Sequence, residues 1–194
     1  MTLRLDAARN REALLRAAAD VLREHGAEAP LQLVADRAGV GRGTLYRHFP
    51  DRAALAVGVY ERRVSDIESV ARASTDPALA LRVLDRVLDG VADAPGLVRM
   101  LRDSESGRVA LDGMSERLLE VLGEPVARAH RAGLLRPGVD AVDLMAAWAM
   151  VEGVLLAATP DRREEMYDRA RRLVHTALLT DQGREVATME GTGV

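Results

Sequence analysis

The chain has 194 residues, 48% of them hydrophobic, 29% charged and 3% aromatic, with a formal net charge of −3. It has no cysteine, which excludes disulfides and thiolate chemistry, and no apolar run near the roughly 20 residues that a membrane span needs. The opening segment, Met1-Thr2-Leu3-Arg4-Leu5-Asp6, lacks the apolar stretch of a signal peptide, so the expectation is a cytoplasmic globular protein with no membrane partner.

Charge is unevenly spread. All 27 basic side chains are arginines, which together with abundant Ala, Leu and Val fits a GC-rich coding background. Residues 1–52 hold nine arginines against seven acids, a balance of +2, leaving −5 for the remainder. A mildly basic head on an acidic body is compatible with a head that binds nucleic acid.

Nearly every segment reads as helix, and strand alternation and hairpin dipeptides are missing. The first helix is predicted from Asn10, as N-cap, to His25, with Ala13, Leu14, Ala17, Ala18, Val21 and Leu22 on one face and Gly26 as the stop. A short second helix runs from Pro30 to Ala38, since proline suits a first helical turn. Gly39 then breaks the chain. A third helix spans Arg42 to Phe49, stopped by Pro50, and Asp51 caps a fourth that reaches Arg72. Asp76-Pro77 opens a fifth, ended by Ala94-Pro95-Gly96, and a short sixth covers Leu97 to Arg102. Asp103 to Gly113, polar and punctuated by glycine, is predicted to be a mobile loop. The seventh helix spans Met114 to Ala132, with a kink or break at Pro125. After a turn at 133–138 come an eighth helix, Ala141 to Ala158, and a ninth, Pro160 to Leu179. The tail from Thr180, with Gly183, Gly191 and Gly193, is predicted to fray. The fold class is therefore all-α, with about nine helices.

The segment LQLVADRAGVGRGTLYRHF, residues 31–49, reads as helix, tight turn, helix. Val34, Ala35 and Ala38 make the inner face of its first helix. Gly39 allows the positive φ that the turn needs, and Val40 fills the angle between the helices. Leu45 and Phe49, four apart, anchor the second helix. Left outward are Arg42, Gly43, Thr44, Tyr46, Arg47 and His48, and every non-glycine member of that set can hydrogen-bond to phosphates or bases. A helix of this kind fits the major groove, which is about 12 Å wide; residue types alone also allow a merely solvated surface helix.

Residues 9–60, opening with RNREALLRAAADVLREHG and closing with GVGRGTLYRHFPDRAALAVGVYE, resemble the TetR family of regulators. The spacing of AGV, GTLY and HF carries that resemblance. It implies three N-terminal helices forming a helix-turn-helix DNA-binding domain, residues 1–52, and a divergent helical body, residues 53–194, that dimerises and often holds a small-molecule pocket. By position it implies that Gln32, Arg42, Gly43 and Thr44 lie near base edges, with Arg42 suited to guanine, and that Thr44, Tyr46, His48 and Arg52 hold phosphates, with Arg47 on the same DNA-facing surface. Two departures are visible. Ala29-Pro30 stand where Ser or Thr is usual, and Gly41 replaces a common Ser; each forgoes a side-chain cap worth about 1 kcal/mol.

In the body, the eighth helix, AVDLMAAWAMVEGVLLAA, is apolar nearly all round. The ninth places Met166, Ala170, Leu173, Val174, Ala177 and Leu178 on one stripe. These two helices are the expected dimer interface, and the resemblance implies a four-helix bundle between two subunits. Trp148 and Glu152, one turn apart, read either as ligand-pocket residues or as a core tryptophan and a cross-dimer ion pair; the second is the commoner arrangement. Met100, Met114, Met145 and Met150 read either as lining of an adaptable apolar pocket or, more commonly, as core filling. The effector site would thus draw on Met100, Met145, Trp148 and Glu152. His25, His130 and His175 are scattered, and no metal-ligand spacing appears; no metal, cofactor or catalytic residue is expected. No nucleophile elbow, P-loop or GxGxxG motif supports an enzyme, and a helical adaptor would not need the hydrogen-bonding face of the third helix. The resulting expectation is a ligand-responsive regulator, a repressor that binds a palindromic operator as a homodimer, with an activator of the same fold as the alternative.

Overall fold

The computed structural model describes residues 2–93 and 96–190. Ten α-helices follow in order: α1 (Thr2–His25), α2 (Leu31–Ala38), α3 (Arg42–His48), α4 (Arg52–Ala73), α5 (Leu79–Asp93), α6 (Leu97–Arg102), α7 (Glu105–Arg131), α8 (Ala141–Ala157), α9 (Arg163–Leu178) and α10 (Asp181–Glu190), with a 3₁₀ turn at Pro160–Arg162. Among the described residues no helix is long and apolar enough to cross a membrane.

Several expectations need correction. α1 starts eight residues before Asn10, which lies inside it and caps nothing; residues 2–9 contain no breaker and good helix formers. α5 begins at Leu79 because Asp76 turns back to accept from the Ala78 N–H at 2.8 Å; of its predicted stop, Ala94 and Pro95 lie outside the described residues. The expected loop at 103–113 is helical from Glu105 onward. Ser104 makes this possible: its hydroxyl accepts from the Gly107 N–H at 3.0 Å and donates to the Leu101 carbonyl at 3.4 Å. Gly107 is buried, and a Cβ there would sit 2.2 Å from the Leu101 carbonyl oxygen. The glycine serves close packing rather than mobility.

The tail repeats that device. Thr180 accepts from the Gly183 N–H at 3.0 Å and donates to the Gly133 carbonyl at 2.6 Å, and a Cβ on Gly183 would meet the Leu134 oxygen at 2.1 Å. α10 is thereby capped and docked instead of fraying; Gly191 and Gly193 lie outside the described residues. Pro125 does not end α7, which continues to Arg131. Leu122, Val126 and Ala129 around it are buried, and that packing outweighs one missing helical hydrogen bond.

The chain divides into two compact units, Met1–Ser65 with Asp93–Met114, and Asp66–Ala92 with Ser115–Val194. The first is organised around Leu14, Leu15, Ala18, Val21, Leu45, Phe49, Leu55, Leu97 and Leu101, all buried. In the second, Leu79, Leu84, Leu88, Leu122, Leu144 and Leu155 are buried. Its helices are also tied by charge. Arg117 of α7 donates from Nε and Nη2 to both oxygens of Glu68 on α4, at 2.9 and 2.8 Å. Asp85 of α5 accepts from Arg171 Nε at 3.1 Å and meets His175 Nε2 at 2.6 Å, both on α9, while Tyr167 donates to Asp89.

The forked hydrogen bonds from Arg117 hold the Glu68 carboxyl below its ordinary value of 4.5, outweighing the opposing effect of burial. A carboxylate whose folded value is depressed stabilises above the unfolded value, and that contribution is lost as pH falls through the folded one. Thermal melts of the wild type should therefore lose stability below about pH 4.5, and Glu68→Gln should lose less over the same window while being less stable at neutral pH. Parallel pH profiles for the two proteins would refute the assignment.

Candidate DNA-binding surface

α2 and α3 are short, and their relative orientation comes from the turn between them. Gly39 adopts φ 67° and ψ 28°, and its N–H reaches back to the carbonyls of Ala35 and Asp36. The next N–H, of Val40, bonds the Ala35 oxygen at 3.1 Å. This closes α2 with a left-handed residue, which glycine adopts without a Cβ penalty. Neither helix has a side-chain cap: Pro30 and Gly41 occupy the N-cap positions and make no such bond. Both caps are missing, as the sequence predicts.

Burial supplies what the caps do not. Leu45 is fully buried and Phe49 is 2% exposed, against α1 residues of the same cluster. α4 approaches closely enough that a Cβ on Gly58 would lie 2.9 Å from both the Phe49 ring and the Leu15 side chain. Asp51, as predicted, caps α4 by accepting from the Ala54 N–H at 2.7 Å. With Leu45 and Phe49 inward, the outward face of α3 presents Arg42, Gly43, Tyr46 and Arg47, all exposed, with Thr44 and His48 half-buried at its margins. Gln32 is exposed on α2 and donates to Asp36 one turn on, at 2.7 Å.

The arginines of this unit are held in different ways. Arg47 donates from Nε to the Gly43 carbonyl at 3.2 Å and from Nη2 to the Thr44 hydroxyl at 3.3 Å. The Arg42 guanidinium lies over the Tyr46 ring, 5.4 Å from its centroid. Arg52 is half-buried, and its Nη1 donates to the carbonyls of Ala27 and Ala29 at 2.7 and 2.6 Å. Arg37 forks onto Glu24, at 2.7 and 2.6 Å, which depresses the Glu24 carboxyl. Arg37 and Arg52 thus fasten the α1–α2 connection and the start of α4 to it. Sequence reasoning missed Arg37 because its partner is thirteen residues away, beyond any helical spacing.

The residues considered for an effector divide between the units. Met100 is half-buried against the core of the first. In the second, Trp148 is buried and donates from its indole N–H to the Leu84 carbonyl of α5 at 3.4 Å; Glu152 is buried one turn later and Met145 is half-buried. Among the described residues no group of three or more His, Asp or Glu side chains is arranged to hold a metal.

Residues 14–59 match the model of the bacterial regulatory proteins, tetR family. Over the whole chain, the structure is similar to that of a TetR transcription regulatory protein from Mycobacterium vanbaalenii. The two are 34% identical, the match covers 92% of this chain and 99% of the other, and the TM-score is 0.65. The chain belongs to the TetR family. A TetR transcriptional regulator from Streptomyces coelicolor is 27% identical over 88% of this chain and 99% of its own, with a TM-score of 0.63. The regulatory protein TetR from Rhodobacter sphaeroides, 21% identical with a TM-score of 0.59, shares the fold. No curated protein matches the sequence. The α2–turn–α3 surface is accordingly the helix-turn-helix of a TetR-family, DNA-binding transcriptional regulator.

Gly39 offers a direct check on the turn. A Cβ there meets nothing within 4 Å, so Gly39→Ala should cost only the backbone penalty of a left-handed residue, about 1–2 kcal/mol. Chemical denaturation measures it. A loss near zero would mean that the positive φ is not required.

Proposed function

We propose that this TetR-family regulator is a repressor that binds a palindromic operator as a homodimer and releases it when a small molecule binds the body. The outward face of α3 carries this reading: an exposed, hydrogen-bonding surface of Arg42, Tyr46 and Arg47 on a helix whose apolar side is fully committed to the core. In it, Gln32, Arg42, Gly43 and Thr44 meet base edges, and Tyr46, Arg47 and His48 meet phosphates. Arg52 has spent Nη1 on two carbonyls, so any phosphate it holds falls to Nε and Nη2.

The pairing reading rests on the second unit. Along α8, Leu144, Ala147, Trp148, Val151, Glu152 and Leu155 face inward. Opposite them Val142, Met150 and Leu156 are 59%, 62% and 43% exposed, and on α9 Leu173 is 70% exposed. Ala146, Ala149, Gly153 and Ala157, also exposed, complete the α8 stripe, and such small residues let a second helix approach closely. A contiguous apolar face of this kind marks an interaction surface. A two-fold copy of it separates two heads to read half-sites about one or more helical turns apart. α4, which contributes residues to both units, is the element suited to carry a change from body to head. In this reading the effector meets the buried Trp148 through its ring face, since the indole N–H is bonded to the Leu84 carbonyl, with Glu152 one turn on.

Light scattering of the full chain should give about 42 kDa, twice 21.0 kDa, and Met150→Glu combined with Leu173→Glu should give the monomer without loss of helix content. A wild-type monomer at micromolar concentration would overturn the pairing. In a gel shift at fixed salt, Tyr46→Ala should weaken binding to a duplex selected by the wild type by about 0.5–1.5 kcal/mol, the worth of one hydrogen bond; undiminished affinity would remove Tyr46 from the DNA contacts.

A further inference from the structure

α3 carries two arginines, and the geometry points to different tasks for them. Arg47 uses the Nε–Nη2 side of its guanidinium within its own helix, on the Gly43 carbonyl and the Thr44 hydroxyl. A bidentate contact to guanine O6 and N7 needs two parallel N–H donors along one side of that fork. A guanidinium has two such edges, and Arg47 must give up both existing bonds to present its Nε–Nη2 edge, which leaves it only the terminal Nη1–Nη2 edge. Arg42 is held instead by its charge over the face of the Tyr46 ring, 5.4 Å from the centroid, inside the roughly 6 Å range of a cation–π contact. No described residue accepts a hydrogen bond from Arg42, so the contact orders the side chain without consuming a donor.

We propose that Tyr46 is a positioning residue for Arg42, and that Arg42 is the guanine-reading arginine of α3 while Arg47 braces the helix and meets phosphate. The inference rests on the operator-binding reading above and adds a division of labour within it. The aromatic side chain has two separable functions. Its hydroxyl, at the ring edge, is the group offered to a phosphate; its face restricts the rotamers of a long, flexible cation. A side chain ordered before binding loses less freedom on docking, and that gain is specific to the base pair it reads. Tyr46 is 39% exposed and lies outside the buried cluster, so its replacement leaves the fold intact.

The test uses full-length protein and a duplex recovered by the wild type from a randomised pool, together with versions in which single G·C pairs are exchanged for A·T. Binding is measured at one stated salt concentration. The wild type should lose about ten- to hundred-fold at one G·C pair in each half-site, and Arg42→Ala should be indifferent to that exchange. Tyr46→Phe, which keeps the ring, should bind all duplexes more weakly but keep the same discrimination. Tyr46→Leu should shrink the discrimination at that pair by about two- to fivefold and leave other positions unchanged. Arg47→Ala should weaken every duplex by a similar factor.

Equal discrimination by Tyr46→Leu and wild type would overturn the positioning role. Loss of discrimination in Arg47→Ala, with Arg42→Ala still selective, would reverse the assignment of the arginines. Failure of the wild type to recover any sequence would defeat operator binding itself, and the division of labour with it. Circular dichroism melts of each variant check that the loss is not one of folding.

Discussion

A helix of seven residues does not persist in water on its own, and α3, the second helix of the helix-turn-helix, is of that length. Its orientation is imposed from behind, by Leu45 and Phe49 inserted among side chains of α1 and α4. The constraint propagates outward. α4 packs so closely on Phe49 and Leu15 that position 58 is a glycine, and the residue that closes α2 ahead of α3, Gly39, sits at a positive φ. The exposed residues inherit their directions from these buried ones. A TetR-family head of this kind is therefore a packing problem first and an electrostatic one second.

Charge adds fastening beside the packing. In the head, the Arg37–Glu24 fork and the Arg52 bonds to two carbonyls hold the α1–α2 connection, where Ala27 and Ala29 are also buried; these bonds are solvent-facing or half-buried, where ion pairs contribute modestly. In the second unit the ties are more enclosed. Glu68 is 9% exposed and Asp85 is half-buried, and each is met by an arginine. Removing one partner from such a pair leaves a charge without compensation in a poor solvent for it, which is far more damaging than never having had the pair. These contacts act as constraints on how α4, α5, α7 and α9 may sit within the unit.

Much of this was legible in the residues. The 3.6-residue spacing of apolar side chains marks the helices, Gly39 marks the turn, and the four-residue spacing of Leu45 and Phe49 marks the inward-facing pair. What misled was glycine. Gly107 and Gly183 read as breakers, yet each stands three residues after a Ser or Thr that caps the helix, packed against a carbonyl of a preceding turn. The pattern Ser104-x-x-Gly107 and its counterpart Thr180-x-x-Gly183 was the available signal, and it is a cap followed by a close contact. Asn10 misled in the opposite sense, since a good capping residue does nothing when helix-forming sequence continues on its N-terminal side. Arg52 carried two meanings, a phosphate ligand by resemblance and a carbonyl clamp by contact, and only distances between segments far apart in sequence reveal the second.

The placement of Trp148 has a practical consequence. It is the single tryptophan of the chain, buried in the second unit and bonded to a backbone carbonyl of α5. Its emission reports the packing of α5 against α8 and is blind to α1, α2 and α3. Far-ultraviolet dichroism reports helices of both units. The two signals trace the same denaturation curve only if the units unfold as one, so the distance between the curves is a measure of how tightly the head and the body of this regulator are thermodynamically joined.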